Sequence, residues 1–344
     1  MKHLLIFCML MMCLCLATRL LAQTHPEDDL PPNITKITGF GERPDWSHDS
    51  KKIVFVGKVF GDVYEYDVET GFIRCLTLHY KHYGYTRAMY LPNGDILLSG
   101  PIEQYDMADK DARTLARHEC WLSVLDKNLQ TPPVPLGVKC SEGPAVSRSR
   151  LKIAWAELWR QNPQRLKEGE SVIMVSDIIY EQGKPRLSGQ RVAFDSRQMP
   201  FSMHSLETQN FVAPNDEQIT MAVYRINGGN NTDTYLLNLK TGAYQAMTNS
   251  PDRYDEPEGI FPDGKFTTVE SAPSQHSPWP LIDIHKLPLD GSGKLERLTF
   301  FTNYKGYKAS QSVVSDDGRM MCFQIGQASD EAGAGYGLFL YKFP

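Results

Sequence analysis

Several things this sequence has little of narrow its reading before any motif is considered. Lys and Arg number 36 against 41 Asp and Glu, for a net charge of -5, and the basic residues form no block. Phosphate binding needs clustered Lys and Arg, so no nucleic-acid partner is expected. Apolar runs are also scarce. The one long run, Leu4 to Leu16, follows Lys2 and His3 and leads to Leu20-Leu21-Ala22. At about 13 residues it is short for a bilayer span, which needs roughly 20. It reads as a secretory signal peptide (1–22) cleaved after Ala22, with an uncleaved anchor as the alternative. The mature chain is then expected to be an exported monomer, periplasmic or extracellular, with no stable membrane insertion. Losing Lys2 and Arg19 takes its net charge from -5 to -7.

Cysteine is sparse too. Of seven, Cys75, Cys120, Cys140 and Cys322 lie outside the signal segment. Cys120 and Cys140 fall opposite each other in a hairpin turning near Asn128, which makes them the best disulfide pair. Helical periodicity is confined to "ADKDARTLARHE" (108–119), between strands. There is no Gly-x-Ser-x-Gly elbow for a serine hydrolase. The histidines are scattered, and His79-x-x-His82 is the closest pair. "DMADKD" (Asp106, Asp109, Asp111) lacks the glycine and distal Glu of a calcium loop. No metal and no cofactor is therefore expected. Sequons stand at Asn33 and Asn230 and matter only in a eukaryotic secretory route.

What the chain does have is a repeat written in its turns. "RPDWSHDSKKIVFVG" is followed by "GDVYEYDVETGFIRCLT": two strands about a tight turn, a gap, a third strand, an Asp-x-x-Thr-Gly turn, and a fourth strand ending Leu-Thr. Related units begin near residues 43, 87, 143, 209, 257 and 310. Asp-Gly and Asn-Gly supply the positive-φ turns of tight hairpins, and β-branched and aromatic residues flank them. Six four-stranded antiparallel units packed face to face make an all-β, six-bladed β-propeller, a single domain over 23–344. The sixth unit stops after its third strand. "NITKITGF" (33–40) resembles a fourth strand without a unit and should complete it from the other end of the chain, closing the ring.

The repeat resembles the TolB-like, WD40-like propeller repeat, roughly Pro-x-Trp-Ser-Pro-Asp-Gly-Lys-x-Ile-x-Phe. Unit one carries Pro44, Trp46, Ser47, Asp49, Lys51, Ile53 and Phe55; unit five Pro262-Asp263-Gly264-Lys265; unit six Ser315 and Asp317-Gly318-Arg319. Proteins with such propellers include periplasmic interaction scaffolds, peptidase domains and carbohydrate-active enzymes, so the resemblance speaks to fold more than activity.

In a propeller the lead-ins to the inner strands converge on the mouth of the central channel. Aligned by the turn that follows, they gather Arg43, Arg87, Glu142, Gln209, Glu256, Glu258 and Gln311, with His204 and Glu207 close behind. Long loops build up the same face: about 100–118, 157–170, 271–279 and 326–335, with the connector 187–204. Arg pairs a carboxylate bidentately, and Glu and Gln bind hydroxyls. Trp159, Tyr85, Tyr254 and Trp279 are rim aromatics that could stack on a sugar. The expectation is a glycan or protein ligand bound at this mouth. The alternative is a glycoside hydrolase or polysaccharide lyase using Glu142, Glu256 and Glu258 as catalytic carboxyls.

Overall fold

The computed structural model describes residues 25–272, 280–331 and 333–344. The signal segment and Trp279 lie outside the described residues. Six four-stranded antiparallel sheets form six blades, each meandering outward from an inner strand. The inner strands are Glu42–Trp46, Arg87–Tyr90, Ala145–Val146, Ser205–Phe211, Asp255–Ile260 and Tyr307–Val314. They contact one another around the axis. Ile34–Lys36 pairs with Leu338–Lys342 as the fourth strand of the last blade, so the ring closes through both ends of the chain as expected.

Two recurrent motifs have simple physical causes. At the hairpin turns of blades 1 and 6, Ser47 and Ser315 each bond a carboxylate two residues on, Asp49 and Asp317, at 2.6 Å. The same hydroxyls accept the backbone N–H of Lys52 at 2.9 Å and of Met320 at 3.0 Å, clamping the turn. At the fourth strands, the Leu-Thr ending holds the third strand. The hydroxyls of Thr77, Thr248 and Thr299 accept the N–H of Val63, Thr234 and Ile284 at 2.9–3.1 Å and donate to Asp62, Asp233 and Asp283. Thr38 does the same for Leu338 across the ring closure, at 2.9 Å, and donates to Phe40 O because Gly337 stands where the other blades have Asp. Thr38→Val keeps the shape and loses both bonds inside a buried seam. We expect it to cost about 1–3 kcal/mol of stability, read by urea unfolding.

The core lies between blades. Trp46 and Phe55 pack with Cys322 and Leu338, and Trp46 Nε1 donates to Val313 O at 3.1 Å, tying blade 1 to blade 6. Trp155 sits with Leu97 and Leu122 in the seam between blades 2 and 3. The far end of the channel is spanned by polar contacts. Arg148 of blade 3 donates to Val314 O of blade 6, directly across the axis, at 2.9 Å. It also ion-pairs with Asp316, which His48 of blade 1 meets at 2.8 Å.

Two expectations need correction. The connector 187–204 is not mainly a loop: Lys184–Asp195 is the long fourth strand of blade 3. Cys120 and Cys140 are indeed direct cross-strand partners, but both are buried free thiols. Cys120 Sγ donates to Ala116 O and Cys140 Sγ to Ser141 O instead. Asp106 and Asp109 hold backbone N–H groups of their own loop, Asp109 as the cap of the helix Lys110–His118. No helix among the described residues is long and apolar enough to cross a membrane.

Candidate functional site

The site begins with a backbone irregularity. Four inner strands carry one extra residue relative to their partners: between Glu42 and Asp45, between Thr208 and Asn210, between Pro257 and Ile260, and between Ser310 and Val313. Arg43, Gln209, Glu258 and Gln311 fall within these bulges. A bulge breaks the strict alternation of a strand and re-aims a side chain. Arg43, Glu142 and Gln311 also take left-handed φ of +51°, +61° and +55°. Such a conformation costs an ordinary residue about 1–2 kcal/mol, and strain of this kind gathers at functional sites. Gly259 and Gly143 make room. A Cβ on Gly259 would lie 2.6 Å from Thr268 Oγ1 and 2.9 Å from Ser312 O; one on Gly143 would meet the Arg87 stem at 2.9 Å.

The result is a pocket of about 340 Å³ at the channel mouth. Arg43, Arg87, Glu142, His204, Glu207, Glu256 and Gln311 line it together, as the aligned lead-ins predict. Gln209 and Glu258 stand behind the wall: Gln209 Nε2 donates to Glu256 Oε1 at 3.3 Å, and Gln311 Nε2 to Glu258 Oε1 at 3.2 Å. Of the rim aromatics, Tyr254 lines the pocket. Tyr85 does not; it packs on His82 and donates to Tyr80. Trp159 does not either, and lies under the Arg160 guanidinium. His82 is engaged by Asp62 and by Gly84 N–H, which accounts for the His79-x-x-His82 pair without a metal.

Other lining residues were missed. Arg117 comes from the helix Lys110–His118, whose neighbouring turn ties Arg113 to Glu331 of the blade 6 loop at 3.2 Å. Tyr224, Glu270 and Gln324 come from second strands; Gln324 Oε1 accepts Arg43 N–H at 2.8 Å. Glu270 and Gln324 pair across their hairpins with the lead-in residues Glu256 and Ser310, so period-two counting from the turn could have found them; Tyr224 pairs with Ser205, away from that rung.

The walls differ in charge. On one side Glu142 Oε2 accepts from Arg117 Nη2 at 2.8 Å and Nε at 2.9 Å, and from Arg43 Nη2 at 3.4 Å. Burial alone would raise the Glu142 pKa, but Arg117 and then Arg43 hold it down at about 2. On the other side Glu207, Glu256, Glu258 and Glu270 crowd around one arginine, Arg87, whose Nη2 is 3.8 Å from Glu207. Burial, then Glu256 and Glu142, push Glu207 up to about 8. Burial and then Glu270 push Glu256 up to about 7. Burial, Glu270 and Glu256 put Glu258 well above the ordinary range.

One contact argues independently for protons here. The Tyr224 hydroxyl touches both Glu207 Oε2, at 2.8 Å, and Glu256 Oε1. A phenol has a single hydrogen. For both contacts to be hydrogen bonds, one carboxyl must be protonated and donate to the phenol oxygen. Glu256, Glu258 and Glu270 also bring oxygen atoms within 4.8 Å of one another, the one arrangement among the described residues that could hold a cation.

No protein-family model and no curated protein sequence matches the chain. Solved structures do. A putative TolB from Agrobacterium tumefaciens superposes with a TM-score of 0.52 at 14% identity, covering 81% of this chain and 96% of that one. An oligogalacturonate lyase from Vibrio parahaemolyticus gives 0.50 at 11%, covering 90% and 93%. An oligogalacturonate lyase in complex with manganese gives 0.50 at 14%, covering 88% and 74%. At these identities the likeness is one of fold. The chain is a six-bladed propeller with the TolB-like fold.

Proposed function

We propose that the protein is exported and binds a hydroxyl-rich glycan ligand in the pocket at its channel mouth. The observation that carries this is the joining, in one cavity of about 340 Å³, of guanidinium donors on one wall to carboxyl and phenol groups on the other. Carboxyls near Glu207 and Glu256 that hold protons at neutral pH both give and accept hydrogen bonds, as sugar hydroxyls require. The volume lies at the small end of ligand pockets and suits one or two sugar rings better than a protein face. Two structures of similar fold are oligogalacturonate lyases, which is in keeping with a saccharide here.

A second reading, a carbohydrate-active enzyme, is favoured by the Tyr224 bridge: a proton held between Glu207 and Glu256 is one that chemistry could use. Of the expected carboxyls it keeps Glu256 and adds Glu207, leaving Glu142 locked in its arginine pairs and Glu258 behind the wall. The test is the mature protein against an oligosaccharide library, reading melting shift and products. A bound glycan without products supports the binding module. Products that vanish in Glu207→Gln and Glu256→Gln support the enzyme. No binding of any glycan, with a protein partner recovered instead, overturns both.

A further inference from the structure

Resting on the glycan reading, we infer that the Arg43 and Arg117 wall of the pocket, with Arg87 at its border with the acids, is an oxyanion subsite, so that the ligand is an acidic saccharide carrying a carboxylate. Three features point there. First, donors stand unused. Arg43 is 4% exposed, and among the described residues its Nη1 has no hydrogen-bond partner and Arg87 Nε is also buried without one. A guanidinium presents a planar fork of donors, and leaving part of it buried and unbonded is costly unless a ligand completes it.

Second, the local charges do not cancel. Arg43 and Arg117 share one carboxylate, Glu142. The next acid, Glu42, is 1% exposed and 4.0 Å from Arg43 Nε, beyond hydrogen-bond reach, and burial raises its pKa. Burial and then the neighbouring charges of Arg87 and Arg117 lower the Arg43 pKa, so the guanidiniums repel one another across the gap. An anion between them removes that repulsion; a neutral hydroxyl does not.

Third, the backbone holds Arg43 in place at a price. It sits in a bulge with φ of +51°, and its own N–H is fixed by Gln324. Strain fixed in this way makes a side chain's position a property of the scaffold.

The opposite wall selects the kind of anion. Glu207 and Glu256 stand across the pocket and part-ionise near neutral pH. A phosphate monoester carries close to two negative charges there and meets more repulsion than a singly charged carboxylate. A sugar acid meets the arginines with its carboxylate and the Glu207, Tyr224 and Glu256 groups with its hydroxyls.

The experiment compares oligouronides with their carboxyl-reduced forms, which keep the stereochemistry and lose only the charge, alongside sugar 6-phosphates. Binding to the mature protein is measured by calorimetry. We expect an oligouronide to bind at least tenfold more tightly than its reduced form. Arg117→Gln, on a helix at the pocket edge, should erase most of that preference, with circular dichroism confirming the fold. Arg43→Gln should do the same, with circular dichroism confirming the fold. Equal binding of the acidic and reduced forms overturns the oxyanion subsite and leaves the glycan reading standing. Tighter binding of a sugar phosphate overturns the carboxylate assignment. Failure of every acidic and neutral saccharide overturns both readings.

Discussion

Arg87→Met should destabilise the protein by about 3–5 kcal/mol at pH 8 and by much less at pH 5. The size follows from what Arg87 faces. Burial works against its charge, yet Glu258, Glu207, Glu142 and Glu256 together hold it protonated. Removing one member of a buried ionic group leaves the others uncompensated, which costs several kcal/mol. The pH dependence follows from the partners. At pH 8 Glu256 is largely ionised and Glu207 about half so, and they repel one another once the guanidinium is gone. At pH 5 they are neutral in the folded state, and methionine replaces an arginine that had little left to compensate. The methionine covers Gly143 with much the same stem, so packing changes little. Urea unfolding at the two pH values measures the difference. An equal loss at both would show that Arg87 acts through its methylenes and not its charge.

The intact protein should itself become less stable as pH rises from about 4.5 to 8, opposite to the acid lability of most proteins. Unfolded Glu titrates near 4.3. Glu207 and Glu256 have folded pKa values raised to about 8 and about 7, and Glu258 and Glu270 are raised as well. Between the unfolded and folded values the folded state binds more protons, so unfolding becomes easier with each increment of pH. A single carboxyl would contribute a slope of at most about 1.4 kcal/mol per pH unit. The four share their repulsion, so together they give less than four times that. Glu142 works the other way. Its folded pKa, about 2, lies below the unfolded value, so its contribution is present above about 4.3 and lost as pH falls toward 2. The maximum should therefore fall on the acid side of neutrality. Melting temperature across pH 3–9 tests this, and Glu256→Gln with Glu258→Gln should flatten the alkaline limb. A wild-type profile flat from pH 5 to 8 would show the cluster ionised, as a cation held by Glu256, Glu258 and Glu270 would make it; chelator treatment would then restore the slope.

Much of the architecture could be read from residues whose roles are local. Ser47 and Asp49 announce a turn because their side chains bond within it, and Thr38 announces a fourth strand because its hydroxyl clasps a third. The strand Lys184–Asp195 was harder to see. It is an outer edge strand with few buried positions, so no apolar alternation marks it. The site followed the same division. Residues at repeat-equivalent positions, Arg43 to Gln311, could be aligned. Arg117 could not, because it lies in a second-to-third-strand loop whose length and sequence differ from blade to blade. The rank of the carboxyls was hidden as well. Glu142 and Glu256 look alike in the chain, and only the arginines around one and the acids around the other separate an ionised anchor from a proton store.

The bond from Arg148 to Val314, joining opposite blades, has a kinetic meaning. A spoke across the hub narrows the far end of the channel. Exchange at the Arg43 rim should then dominate, past the helix Lys110–His118 and the blade 6 loop that Arg113 and Glu331 tie together. Residence time should then be set at that doorway, and a substitution there can change how long a ligand stays without touching the residues that recognise it.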